Sequence, residues 1–218
     1  MKFYFANTMH HTTILHPRRT LATITERRRE RLREVIRMRQ PDMTVVLENI
    51  WDPHNVSAIL RTADAVGVLG VHLLYYIEKA PNLERQGKLS SASANKWLQF
   101  ENHDSVEACY ARLREKGLRI YASHLTRNSV PLYDLDLTQP VALVMGNESR
   151  GVSDAACDLA DAVFHIPMVG IVQSLNVSVA TAVTLYEAHR QRRVGGLYPH
   201  PTMTDEEVDR LLLHWSQR

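Results

Sequence analysis

The 218-residue chain is 44% hydrophobic and 23% charged, with 9 Gly, 9 Pro and 2 Cys, which excludes collagen-like, disordered and disulfide-stapled classes. No apolar run of about 18 residues is present to span a membrane, and two distant cysteines without a CxxC pair fit a reduced, cytoplasmic protein. The net charge of +2 hides an asymmetry, because residues 1–42 are net basic and the remainder is net acidic.

Residues 1–20 fit no element and read as a flexible extension. Residues 21–42 read as a basic helix, with Arg27, Arg28, Arg29, Arg31, Arg33, Arg37 and Arg39 around a sparse stripe of Ile24, Leu32, Val35 and Ile36. Only a narrow face of such a helix can bury. It suits a polyanion-binding arm, since arginine pairs phosphate bidentately, and equally a solvated helix laced by its own glutamates. From residue 43 to 195, strand candidates Thr44–Ile50, Val71–Ile77, Leu118–Ser123, Val141–Met145 and Ala162–Ile166 alternate with helical patterns at Pro53–Val66, Ser105–Lys116, Ser153–Leu159 and Asn176–Arg192. Runs such as Val141-Ala142-Leu143-Val144 are apolar on both faces, as central parallel strands are. The chain therefore reads as α/β. Residues 196–218 form a terminal extension with a helix over Asp205–Ser216.

The usual α/β ligand motifs are missing. There is no GxGxxG, no Walker lysine loop and no GxSxG elbow, and the histidines show no metal-ligand spacing. Three segments stand out instead, each where a strand hands over to a helix, the ligand-binding edge of open α/β sheets. The first runs from Asn49 to Asp64. On its helix Val56, Ile59, Leu60 and Ala63 face inward, while Arg61 points outward beside His54 and Ser57. Arg61 there suits a phosphate clamp or a plain surface pair, and Asn55 could be a helix cap. The second is Gly146-Asn147-Glu148-Ser149-Arg150-Gly151, a turn that brings backbone close to a ligand or simply reverses the chain. The third, from Ile166 to Ala182, is an apolar loop that must be covered or line a pocket. It leads into a helix apolar nearly all round, which is expected to be deeply buried or to form a subunit interface.

Together these segments resemble the SpoU family of S-adenosylmethionine-dependent RNA ribose 2′-O-methyltransferases. Asn55 with Arg61 is similar to its first motif, Gly146-Asn147-Glu148 to its second, and Ile166-Pro167-Met168 through Ser174-Leu175-Asn176-Val177-Ser178 to its third. The likeness runs from about Arg27 to Trp215, and it is strongest to the bacterial branch that methylates guanosine 18 in the tRNA D-loop. Arg39-Gln40-Pro41-Asp42, Asn95-Lys96-Trp97 and Gly196-Leu197-Tyr198 support that branch. The Asn147–Gly151 turn departs from the branch's usual Glu-Lys pattern, which keeps ribosomal RNA or another tRNA position as the alternative substrate.

The resemblance implies a SPOUT-type domain with a deep carboxyl-terminal trefoil knot, acting as a homodimer without a metal. It implies S-adenosylmethionine held by His124, Gly146, Ile166 and Leu175. Arg61, Asn55, Ser174, Asn176 and Glu148 become the catalytic set, and Arg27, Arg28, Arg31 and Arg39 the RNA-binding set. Within the catalytic set Arg61 is the base in the family's proposal. An arginine side chain gives up its proton reluctantly, so stabilising the developing alkoxide while gripping the adjacent phosphate is the competing role.

Overall fold

The computed structural model describes residues 24–83, 94–126, 128–199 and 203–217; the extension expected over residues 1–20 lies outside them. Thr25 opens α1 (Glu26–Arg37), its hydroxyl accepting from the Arg28 N–H. The basic segment does not stay helical to its end. It turns at Met38 and enters β1 (Gln40–Glu48), so the first strand begins earlier than its apolar run suggests. Asp52, rather than Asn55, caps α2 (Pro53–Ala65): its carboxylate accepts from the His54 N–H at 2.8 Å, and Pro53 supplies a first helical position that needs no donor.

Then follow β2 (Val68–Leu74), β3 (Gln99–His103), α3 (Val106–Glu115), β4 (Arg119–Ser123), β5 (Val130–Pro131), β6 (Val141–Met145), α4 (Asp154–Leu159), β7 (Ala162–His165), α5 (Val177–Val194) and α6 (Asp205–Ser216). The strands make one parallel seven-stranded sheet in the order β3-β2-β1-β6-β4-β7-β5. The two strands absent from the sequence reading, β3 and β5, are its edges. An edge strand needs no continuous apolar run, and β5 carries a proline that only an edge tolerates.

On one face of the sheet, Val56, Ile59, Leu60 and Ala63 of α2 pack with Leu185 and Ala188 of α5. On the other, Cys109, Tyr110 and Leu113 of α3 pack with Ala156 of α4. In this single chain α5 is not buried all round: Val179 is 48% and Tyr186 53% exposed. Thr181 and Thr184 face inward, satisfied by the carbonyls of Val177 and Ala180 one turn back.

The terminal helices pack on each other rather than standing apart. Ile36 meets Val208, Leu212 and Trp215, and Arg33 and Arg37 pair with Asp209 and Asp205 at 2.7 and 2.6 Å. Arg39 is 2% exposed. Its guanidinium lies over the Trp215 ring, 5.1 Å from the centroid, donates to the Val68 carbonyl and pairs with Asp64. Burial among these partners takes Arg39 out of the surface that RNA could grip and makes it a strut between the terminal helix and the sheet.

Two histidines isolated in sequence meet at the β2–β3 edge. The rings of His72 and His103 stack with centroids 5.0 Å apart and Nδ1 of one 2.8 Å from Nε2 of the other. Cys109 lies beside them, but Lys116 Nζ stands 3.3 Å from His72 Nε2, so both ring nitrogens of His72 are engaged. Burial, then the Lys116 charge, lowers His72 from its ordinary 6.5 to about 4. The unfolded chain thus takes up a proton that the folded one refuses, and stability falls as pH drops from about 6.5 to about 4. Denaturant midpoints measured across that window should decline in the native chain and decline less in His72→Gln. Equal declines would place the acid sensitivity elsewhere.

Candidate active site

The carboxyl ends of β4, β6 and β7 converge on a cleft of about 520 Å³. His124 at the end of β4, Gly146 after β6, Ile166 after β7 and Leu175 before α5 all line it, as do Glu148, Ser174 and Asn176. The four residues expected to hold the cofactor and three of the five expected to act on substrate therefore share one cavity.

Gly146 is required by the path of the chain. A Cβ there would lie 2.1 Å from Gly151 C and Val152 N, because the turn folds back against its own start. Asn147 holds that turn. Its side-chain oxygen accepts from the Ser149 and Arg150 N–H groups, and its amide donates to the Asn49 carbonyl at 2.8 Å. Asn49 has φ 50, a left-handed conformation that asparagine tolerates. Its side-chain oxygen accepts the N–H groups of Tyr76, Ile77 and Glu78. An asparagine at a strand end is a legible turn signal; its role in joining two other loops is not.

Asn55 ties all three segments together. Buried in the first turn of α2, it donates to Glu148 Oε1 at 2.9 Å and accepts from Asn176 Nδ2 at 3.1 Å. Asn176 caps α5, accepting from the Ser178 N–H. Glu148 accepts further from the Trp51 and Asp52 N–H groups at 2.9 and 3.0 Å. Burial pushes the Glu148 carboxyl up, and these three donors outweigh it and hold the group below the usual carboxylate range. Glu148 is thus ionised and fully engaged at neutral pH.

Arg61 lies outside the cleft. It sits on the exposed face of α2, almost two turns beyond Asn55, its guanidinium making no hydrogen bond or ion pair to any described residue. His54 shares its exposure, whereas Ser57 turns inward and is buried. The apolar loop divides. Ile166, Met168 and Leu175 line the cavity, while Val169 and Ile171 are fully exposed. Arg27, Arg28 and Arg31 remain exposed on α1.

The SpoU rRNA Methylase family model covers residues 42–186. The chain belongs to the SpoU methylase family. This SpoU chain is 44% identical over 194 residues to a tRNA (guanosine(18)-2′-O)-methyltransferase of Thermus thermophilus, covering 89% of this chain and 98% of that protein. A 23S rRNA (guanosine-2′-O-)-methyltransferase RlmB of Pseudomonas syringae pv. tomato is 36% identical over 152 residues, covering 70% of this chain and 60% of that protein. Among solved structures, the A. aeolicus TrmH/SpoU tRNA modifying enzyme superposes with a TM-score of 0.79 at 40% identity, over 88% of this chain and 96% of that one. An AdoMet-bound rRNA methyltransferase from Sinorhizobium meliloti gives 0.63 at 30% identity, over 73% and 59%.

Proposed function

We propose that this chain transfers the methyl group of S-adenosylmethionine to the ribose 2′-hydroxyl of guanosine 18 of tRNA. The observation that carries the reading is the Asn55–Glu148–Asn176 network beside the cleft. It occurs in a chain that matches a guanosine-18 enzyme along almost its whole length and a ribosomal-RNA enzyme along only part of its own.

The cleft suits the cofactor. It offers a glycine-containing turn and an apolar loop with its backbone groups open, a setting for a purine ring rather than for a metal. When bound there, S-adenosylmethionine supplies an activated methyl on a sulfonium. The chain must then place the hydroxyl in line and manage its proton. Asn55 fixes Glu148 and Asn176, which leaves Ser174 and the Asn176 backbone to meet the ribose or its phosphate. Arg61, unpaired on the outward face of α2, grips the adjacent phosphate with its planar fork and faces the oxygen as negative charge develops. Arg27, Arg28 and Arg31 extend the grip on tRNA along α1.

The working unit is a homodimer in the cytoplasm, its carboxyl-terminal part threaded as the family's trefoil knot. Trp51, Val169, Ile171, Val179 and Tyr186 are large apolar residues exposed in the single chain. A second copy covering them removes that apolar surface from water.

Two measurements test this reading. Incubation of total RNA with the enzyme and methyl-labelled S-adenosylmethionine should place the label on the ribose of guanosine 18 in tRNA; label on ribosomal RNA alone contradicts it. Arg61→Ala should fold and bind cofactor normally yet lose turnover by about 10² or more. Rescue by Arg61→Lys with a rate rising at alkaline pH assigns Arg61 as base, and failure of lysine assigns it to bidentate positioning. Near-normal turnover of Arg61→Ala with saturating tRNA removes Arg61 from the chemistry.

A further inference from the structure

A second cleft, of about 540 Å³, opens at the far end of α2, between α1, the Asp64–Gly67 turn and the last turns of α5. Nothing in the methyl-transfer chemistry uses it. Its floor depends on a close approach: Gly67 has φ 86, and a Cβ there would lie 2.6 Å from the Met38 carbonyl oxygen. The Tyr198 hydroxyl donates to the Val66 carbonyl at 2.6 Å, which fixes the tyrosine ring as one wall. That ring meets His189 edge-on with centroids 5.0 Å apart. Burial, and then the Arg193 charge, lowers His189 below its ordinary range. At neutral pH its ring therefore offers one donor and one acceptor.

Two exposed arginines stand at the mouth. The Arg193 guanidinium makes no hydrogen bond or ion pair to any described residue. Arg31 pairs with Glu34 at 3.2 Å, between side chains 74% and 67% exposed, and a pair so solvated gives way readily to a better anion. Arg39 forms part of the wall. Its terminal nitrogens are taken by Asp64 and Val68, while its Nε is buried without a partner.

A flat aromatic wall, a neutral imidazole and arginines at the rim are what an unpaired nucleotide asks for: stacking, edge hydrogen bonds and a cation on its phosphate. The position agrees. From Asn55 to Asp64 the helix advances about 13 Å, with Arg61 exposed in between, a span that a short unpaired strand covers. We propose that this second cleft is a base pocket, taking a loop nucleotide of the substrate tRNA that neighbours the methylated one in the strand. Its base lies against Tyr198 and His189, and its phosphate on Arg193 and Arg31. The proposal rests on tRNA being the substrate.

The test is a double-mutant cycle between enzyme and RNA. Arg193→Ala and, separately, His189→Ala are assayed on unmodified tRNA transcripts, intact or abasic at single loop positions flanking the target. Each enzyme variant should raise KM by on the order of tenfold, with kcat and S-adenosylmethionine affinity unchanged. At one flanking position the abasic transcript should raise KM for the native enzyme and raise it no further for the variants. Additive losses at every flanking position, or variants with native KM, overturn the pocket. Benzoylphenylalanine installed in place of Met38 should crosslink to that same nucleotide, and crosslinking to a second copy of the chain instead also overturns it. Failure of the native enzyme to methylate the intact transcript would count against the tRNA reading and is scored separately.

Discussion

Asn55 sits buried at the start of α2 with each half of its amide committed, its NH2 to Glu148 and its oxygen to Asn176. The direction of every bond in this row is forced. Glu148 is ionised and can only accept, and the Asn176 oxygen is occupied by the Ser178 N–H and hydroxyl, so only its NH2 is free to donate. The side chains concerned lie far apart in sequence and belong to three separate strand-to-helix junctions. Loops at a sheet edge have few apolar contacts of their own to fix them. A partly buried polar row with all members satisfied supplies that constraint, and leaving one unsatisfied is expensive. The cleft exists in its observed shape because these junctions are held at fixed separation.

A second constraint operates at the opposite end of α2. Arg39 is clamped between Asp64 and the Trp215 ring, which joins the amino-terminal helix, the end of α2 and the carboxyl-terminal helix. Two of the arginines on α1 are committed to acids of α6. The basic charge left for RNA is therefore concentrated on Arg27, Arg28 and Arg31, on a helix already docked to the fold. Arg192 serves the same structural end inside the molecule. Fully buried, it donates to Gln40, Asp42 and the carbonyls of Leu137 and Gln139. Much of the chain's arginine holds it together, and a smaller part is available to grip a polyanion.

What the sequence could disclose followed from periodicity. β6 is apolar at every position and α6 is amphipathic with a capping box at Thr204 and Glu207, and both lie where the pattern puts them. β3, Gln-Phe-Glu-Asn-His, carries no such pattern because an edge strand faces solvent on one side. The three site segments were legible as motifs; residues of the second and third line one cavity, and the first joins them through Asn55, with Arg61 outside. That Asn55 is the member joining the other two was not legible, since no spacing encodes a contact between residues 121 apart. Arg39 and Arg31 look alike in a run of arginines; only the fold shows that one is buried over Trp215 and the other is in water. The exposed side of α5 has a related reason: the pattern marks an apolar helix that is covered, but not by which chain.

The tie between junctions is tested most directly by a cycle of Asn55→Ala and Asn176→Ala, singly and together. The measured quantities are the affinity for S-adenosylmethionine by calorimetry and stability to denaturant. Each single variant should weaken both, and the double should be less damaging than the sum by about 1 kcal/mol, because either change alone already breaks the shared bond. Losses that add within about 0.3 kcal/mol would show that the two residues act independently. The cleft would then owe its shape to something other than this row of side chains.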